Sequence, residues 1–455
     1  MIESILSKIS NFLWGPPLLI LLFGTHLFLT FRLKFMQVFI GRALKLSFGR
    51  RKTHAAGDIS HFAALMTALA ATIGTGNIVG VASAVALGGP GAVLWMWLTG
   101  VFGMATKFSE AVLSIKYRTR NKRGEYSGGP MYVLEKGMRS KWLGVIFAIF
   151  TAIAAFGIGN MVQANSVAIL LKDTFSIPPW MSGAVMTVLT AVVILGGIQS
   201  VARACGLMVP FMAIFYVGGC LTLLLMNLHS IPDTISLIFS SAFTGQAATG
   251  GFVGAGIREA IRYGVARGLF SNEAGLGSAP IVAAAARTKN PVQQALVSST
   301  GTFWDTVVVC AMTGLVVVNS GAWTKGLNAA SLTKDAFSQI PVLGPAVLTI
   351  GLLIFVFSTI IGWAYYGEKA MEYLLGLRAI LPYRLLWVLC VMIGSITTLP
   401  IVWTFADIAN ALMAIPNLVS LIVLHGVIVK ETHRHLLTPV SRARRLRRKK
   451  SRAKN

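Results

Sequence analysis

Two stretches of this chain set helix-breaking glycines beside small polar groups in otherwise apolar sequence. The first reads Ala70-Ala71-Thr72-Ile73-Gly74-Thr75-Gly76-Asn77-Ile78-Val79-Gly80; the second reads Phe270-Ser271-Asn272-Glu273-Ala274-Gly275-Leu276-Gly277-Ser278-Ala279-Pro280. A glycine-rich break inside a membrane segment frees N–H and C=O groups, which persist there only if protein buries them or they line a cavity. Such a break offers both signs of charge. A half-helix starting near Gly76 points N–H groups and a positive dipole end at a carboxylate, while carbonyls ending the preceding half-helix accept from an ammonium. Gly74 and Gly76 keep the backbone open to a ligand, where a side chain would occlude it. Thr72 and Asn77 add polarity, turned either to a ligand or back onto the broken helix. A break of this kind can therefore meet charge of either sign away from water, where an unpaired charge costs several kcal/mol.

The elements that position these breaks are membrane spans. Of 455 residues 55% are hydrophobic and only 12% charged, with 40 Lys+Arg against 15 Asp+Glu; a soluble protein carries about twice that charged share. Apolar runs long enough for a bilayer core give eleven helices, near 12–33, 62–88, 92–117, 143–172, 179–198, 205–227, 256–286, 292–319, 343–373, 384–399 and 401–429. Arg32 and Lys34 follow the first span without a small-residue cleavage site, so it reads as a retained helix. Segments 32–61, 116–141, 197–206, 287–291, 374–384 and 430–455 hold 31 of the 40 basic residues. Four lie in the alternate segments, so the positive-inside rule puts the N-terminus outside and the C-terminus in the cytoplasm.

A net charge of +25 does not indicate nucleic acid, because the basic residues sit between spans rather than on a soluble domain. The run from Arg442 to Lys454 reads as an anchor to anionic lipid on the cytoplasmic leaflet. Cys205, Cys220, Cys310 and Cys390 lie inside apolar segments without metal or disulfide spacing and read as packing residues. No G-x-x-x-x-G-K-S/T loop appears, so transport would be secondary rather than ATP-driven. The histidines lie near helix ends, in loops or on the tail, which argues against an intramembrane hydrolase. A channel would need a continuous polar lining, whereas the polar residues cluster at the two breaks. No enzyme and no cofactor is expected, and no oligomeric state is implied.

Set aside the first helix and the breaks fall in helices 1 and 6 of a ten-helix set, five apart. Interrupted helices at matching positions of two halves point to an inverted-repeat secondary transporter with its site near the midplane. The expected organisation is an extra N-terminal helix and loop (1–61), a first five-helix repeat (62–227), an outer loop (228–255), a second repeat (256–429) and a basic tail (430–455).

The stretch Gly88-Gly89-Pro90-Gly91-Ala92-Val93-Leu94-Trp95-Met96-Trp97, ending in Gly103-Met104-Ala105-Thr106-Lys107-Phe108, closely resembles the signature of the sodium:alanine/glycine symporter family. Leu94 departs from it, the family usually carrying Phe there. GTGN at 74–77, SGGP at 127–130, VQAN at 162–165, FSNEAGLGSAP at 270–280 and GWAYYGE at 362–368 match in order, so the resemblance covers about residues 12 to 430. It implies an all-α polytopic protein with the leucine-transporter fold, 5+5 inverted repeats plus one N-terminal helix. The implied activity is symport of alanine or glycine with Na+ across a bacterial plasma membrane by alternating access; proton coupling through Glu273, Asp305 or Asp407 is the alternative.

By that resemblance Na+ is held by the carbonyls of Ala70 and Ile73 and the hydroxyls of Ser358 and Thr359; such hydroxyls also commonly bond the i−4 carbonyl. The expected substrate-binding set is Thr72, Gly74, Thr75, Gly76, Asn77, Gln163, Ser271, Asn272, Gly275, Thr359, Ile360 and Trp363. Gln163, beside Asn160 and Asn165, reads either end of an amino acid or serves as glue between helices. Trp363, one turn after Thr359, walls a side-chain pocket sized for hydrogen or methyl, or packs the core. Glu259 and Arg262, three apart, can pair, while Arg258, Arg267, Glu273, Asp305, Glu368 and Asp407 are further intramembrane charges that form pairs or gates.

Overall fold

The computed structural model describes residues 2–49, 55–244, 256–327, 329–397 and 400–437. The basic run from 442 to 454 and the end of the outer loop, 245–255, lie outside them. In chain order come α1 (Ser4–Arg32), α2 (Ile40–Ser47), α3 (His61–Thr72), α4 (Gly76–Gly88), α5 (Ala92–Lys116), and a hairpin of β1 (Thr119–Arg120) and β2 (Tyr126–Ser127). They are followed by α6 (Lys141–Phe175), α7 (Pro179–Ile194), α8 (Gly197–Met226), α9 (Ile231–Thr244), α10 (Ile257–Asn272) and α11 (Ala279–Ala283). The chain continues through α12 (Pro291–Asn319), α13 (Ala329–Phe337), α14 (Leu343–Leu375), α15 (Ile380–Ile396), α16 (Pro400–Val423) and α17 (His425–Thr432).

Among the described residues seven helices are long and apolar enough to cross a bilayer, or eight if α3 and α4, bent by 59°, form one span. Three expected spans fall short of that measure. Helix α5 carries Lys107 and Glu110, α7 has 16 residues, and α10 with α11 is a second broken pair. Length and composition therefore do not by themselves establish eleven.

Four expectations are corrected. The segment 197–206 is not a loop: Gly197, at φ 70, completes a tight turn, and α8 runs on for 30 residues. Ile198, Val201, Ala202 and Cys205 recur at helical spacing on its buried side, while Arg203 faces out and does not interrupt it. The outer loop contains α9, and the seventh span keeps only a five-residue helix beyond its break. His26, expected at a helix end, is fully buried and bonded to Thr106 at 2.8 Å.

Packing sorts the helices into a bundle and a surround. Helix α5 lies against both α10 and α12, and α4 against α10, so the broken helices share one bundle with α5 and α12. Helix α14 packs on α8, α6 and α3, and α6 also packs on α16. The N-terminal α1 lies against α5 and α16, and Trp14 Nε1 donates to the Asp407 carbonyl at 3.0 Å. Caps fix where the bundle helices begin: Ser60 Oγ accepts from Ala63 N–H at 3.1 Å ahead of α3, and Asn290 Oδ1 accepts from Gln293 N–H at 3.1 Å ahead of α12.

Candidate functional site

The first break follows from the missing side chains of Gly74 and Gly76. Helix α3 stops at Thr72 and Ile73 turns extended, with ψ 100. Asn77 Oδ1 then accepts from Gly74 N–H at 2.9 Å and restores one orphaned donor. The second break turns on three left-handed residues, Glu273 at φ 53, Gly275 at φ 90 and Gly277 at φ 88. Asp305 on α12 ties the breaks together. One oxygen accepts from Asn77 Nδ2 at 2.7 Å and the other from Ser271 Oγ at 2.9 Å and Thr306 Oγ1 at 2.7 Å.

Against the first break lies α14. Ser358 Oγ stands 3.3 Å from the Ala70 carbonyl and Thr359 Oγ1 3.3 Å from the Ile73 carbonyl. These separations are long for O–H···O bonds, which favour about 2.7–2.8 Å. They match the edge of a coordination shell, since oxygens about 2.4 Å from a hard cation and at right angles lie about 3.4 Å apart. Each hydroxyl also donates to the Phe355 carbonyl, at 2.8 and 2.9 Å, which leaves its lone pairs facing the break. Two carbonyls and two hydroxyls thus form a neutral oxygen set suited to a hard cation.

Beside it stands Gln163, 4% exposed. Its Nε2 donates to the Ile158 carbonyl at 3.0 Å, and its Oε1 has no partner among the described residues. That oxygen lies 3.8 Å from where a Cβ on Gly74 would stand, so an unsatisfied acceptor faces the break. Trp363, one turn past Thr359, is buried; its ring sits where a side chain on Gly159 would go, and its Nε1 donates to Glu273 at 3.1 Å. Gly74, Gln163 and Thr359 therefore converge at the break, with Gly76 facing Phe270 two residues on, Trp363 one turn along α14, Ile360 fully buried next to Thr359 and Thr75 half-buried. Ser271 Cα lies 3.7 Å from the Cβ position of Gly76.

Three expected residues are not brought to this point. Thr72 bonds back to the Ala68 carbonyl at 3.2 Å and lines a separate small cavity with Lys107 and Ser298. Asn272 Oδ1 accepts from Ala274 N–H at 2.9 Å, shaping the turn. Gly275 N–H donates to Glu110 at 3.1 Å, and a Cβ there would strike Leu22 and Leu418. Asn77 is also committed to the break and to Asp305, which is the self-bonding alternative for that residue.

The intramembrane charges divide similarly. Glu259 and Arg262 pair at 3.7 Å, and Glu368 accepts from Arg384 at 2.6 and 3.0 Å. Lys369 meets Glu372 at 2.7 Å. Glu110, which sequence reasoning passed over, accepts from Gly275 N–H, Gly277 N–H and Asn417 Nδ2. Gly159 was missed as well; the signal for both was a charge or a glycine within an apolar helix.

On one side of the breaks the bundle is latched. Ile59 pairs with Ala286 in a parallel bridge, Asp58 N–H donates to the Ala285 carbonyl at 2.7 Å and Arg287 N–H to the Ile59 carbonyl at 2.8 Å. Arg118 donates to the carbonyls of Ala284, Ala286 and Ala56 at 2.8, 2.9 and 2.9 Å, and stacks on Tyr126. Asp58 beside it accepts from Tyr126 N–H at 2.8 Å, and burial pushes its carboxyl above the ordinary range. Toward the other side a cavity of about 170 Å³ is lined by Trp14, Arg267, Phe270 and Asp407.

Two discontinuous helices bundled with two continuous ones, and a neutral oxygen set at the first break, define a multi-pass membrane transporter of the leucine-transporter fold. The solved structure of MhsT in complex with L-phenylalanine superposes with a TM-score of 0.58, covering 81% of this chain and 89% of that one at 15% identity. A Na+-coupled sialic acid symporter in a substrate-bound outward-open state gives 0.50 over 92% of this chain and 86% of that one at 13% identity. At such identities the likeness is one of fold.

The chain belongs to the sodium:alanine symporter family, whose model matches residues 1–445. It is 54% identical to the sodium/alanine symporter AgcS of Methanococcus maripaludis over 94% of this chain and 96% of that protein. It is 52% identical to an uncharacterized transporter of Haemophilus influenzae, over 95% of each. A probable sodium/glutamine symporter of Bacillus subtilis, GlnT, is 34% identical over 94% of this chain and 89% of its own length.

Proposed function

We propose that this transporter imports a small neutral amino acid, alanine and/or glycine, together with Na+ by alternating access. The observation that carries the reading is the adjacency at one break of two sites. The four-oxygen set of Ala70, Ile73, Ser358 and Thr359 suits Na+, and the side-chain-free backbone of Gly74 and Gly76, with Gln163 Oε1 facing Gly74, suits a zwitterion. Each charge of the substrate then has a partner: the start of α4 for the carboxylate, and carbonyls and Gln163 Oε1 for the ammonium. Shared use of the Ile73–Gly74 backbone makes the two occupancies cooperative, because a cation that orders this turn lessens the ordering that the substrate must supply. The name of AgcS supports the pair of cargoes. That of GlnT concerns a larger side chain, so the pocket wall rather than the break would set size.

The membrane is proposed to be a bacterial plasma membrane, with the latched side toward the cytoplasm and the N-terminus outside. Glu273 and Asp305, carboxylates at the breaks, keep proton coupling as the second reading. Alanine binding to the purified protein in detergent separates the two. Na+ should tighten alanine affinity at constant pH, K+ or choline should not, and alanine should tighten Na+ by the same factor. Alanine affinity independent of Na+ but changing with pH would favour the proton.

A further inference from the structure

Glu273 is the one carboxylate in the second break, and coupling to Na+ leaves it without a task. It adopts a left-handed conformation, φ 53, that a non-glycine residue takes only at a cost. That conformation ends α10 and places the side chain in the bundle, 5% exposed. One oxygen accepts from Trp363 Nε1 at 3.1 Å and the other from Ser278 Oγ, so both are met by neutral donors. Among the described residues no ion pair involves it. The indole is bounded on two other sides, by Gly159, which has no side chain to compete with it, and by Tyr366, edge-on at 5.4 Å between centroids. Packing alone leaves a ring free to tilt within its slot, whereas a hydrogen bond from Nε1 fixes the tilt.

We propose that Glu273 is a specificity-determining positioning residue: by accepting from Trp363 Nε1 it locks the wall of the side-chain pocket on α14 to the second break, and so fixes the size of substrate admitted. The inference rests on the reading that Trp363 walls that pocket. It also ties size selection to the conformational cycle, because the two partners lie on different elements, α14 and the α10–α11 break.

The test is competition by unlabelled alanine, serine and leucine against labelled alanine uptake in proteoliposomes, for wild type, W363A, W363F, E273Q, E273M and W363F/E273M. Phe keeps a ring but no donor, Gln keeps an acceptor for the indole without the charge, and Met keeps volume without a strong acceptor. E273Q is expected to retain the wild-type preference for alanine over leucine. W363F and E273M should each lower that preference about 5- to 10-fold, the worth of one buried hydrogen bond, with KM for alanine raised more than the maximal rate falls. The double variant should be no worse than either single. Should E273M fail to insert, W363F and E273Q decide the matter. Abolished transport in folded E273Q overturns the proposal, because charge rather than position would then be what Glu273 supplies. An unchanged preference in W363F and E273M while W363A admits leucine overturns it and leaves the pocket intact. An unchanged preference in W363A removes the pocket wall, and the proposal with it.

Discussion

Replacing Gly74 by Ala perturbs both proposed occupants through one methyl group. The added Cβ would stand 2.8 Å from Thr359 Oγ1 and 3.8 Å from Gln163 Oε1. The nearer contact is well inside van der Waals range, so something must move. Thr359 Oγ1 cannot simply swing aside, because it already lies between the Phe355 and Ile73 carbonyls at 2.9 and 3.3 Å. Either the hydroxyl leaves Ile73, dissolving one corner of the cation set, or α14 shifts. Overpacking of this kind costs about 1–3 kcal/mol, which corresponds to about a 5- to 150-fold loss in apparent affinity. Gly80→Ala is the internal control, a Cβ there meeting nothing nearer than the Thr75 carbonyl at 4.0 Å. The assay is the sodium dependence of alanine uptake in proteoliposomes, with monodispersity in detergent confirming fold. Gly74→Ala should raise the half-saturating Na+ by at least the lower figure and Gly80→Ala should leave it near wild type. Thr359→Ser, whose hydroxyl turns more freely, should recover part of the loss in the Gly74→Ala background. A folded Gly74→Ala protein with wild-type sodium and alanine half-saturation would refute the placement of this break against α14.

Three further outcomes follow from the same contacts. Ser358→Ala combined with Thr359→Ala removes two of four oxygens, so half-maximal uptake should need more Na+ while uptake at saturating Na+ changes less; an unaltered sodium curve would count against the site. Arg118→Ala deletes the guanidinium that joins Ala56 to Ala284 and Ala286, and hydrogen bonds to a charged group are worth about 1.5–3 kcal/mol each. A cysteine placed at Ala68 should then be labelled from the latched side at least tenfold faster than with Arg118 present, and equal rates would show that Arg118 is not part of the latch. At the end of α5 Lys116 bonds Glu431, which is buried, and holds its carboxyl below the ordinary 4.5. A lowered pKa means that this stabilisation is complete above the unfolded value and fades as pH falls through the folded one. Thermal stability in detergent should therefore drop below about pH 4.5 in wild type by more than in Glu431→Gln; identical pH profiles would remove this pair from the account.

Much of the fold was legible because a membrane imposes few solutions. Uninterrupted apolar runs had to be helices, and glycines at Gly74, Gly76, Gly275 and Gly277 had to be breaks, since nothing else frees backbone there at tolerable cost. The oxygen set was reachable only through resemblance, as a Ser-Thr pair on a helix 286 residues along the chain from Ile73 has no local signature. What the sequence hid is side-chain direction. Thr72 looked equivalent to Asn77, yet it points to a different cavity, and Gly275 looked like Gly76, yet it serves the contact with α1 and α16. The start of α8 was misplaced because Arg203 resembled a loop charge, although a single exposed basic residue near a membrane edge costs a helix little. Glu110 and Gly159 escaped for the opposite reason: their partners, backbone amides in the second break and a tryptophan on α14, lie more than 160 residues away.

A sodium-coupled importer must use the sodium gradient to drive uphill movement of a small neutral amino acid. The direct measurement is accumulation of labelled alanine in proteoliposomes loaded with K+ and diluted into Na+, compared with the same vesicles under an imposed pH gradient in the absence of Na+. Inward Na+ should produce transient accumulation above the external alanine concentration, abolished when the gradient is collapsed, competed by glycine, and absent under the pH gradient alone. Accumulation driven by the pH gradient without Na+, or equilibration of alanine that never exceeds the external level under inward Na+, would contradict sodium-coupled import.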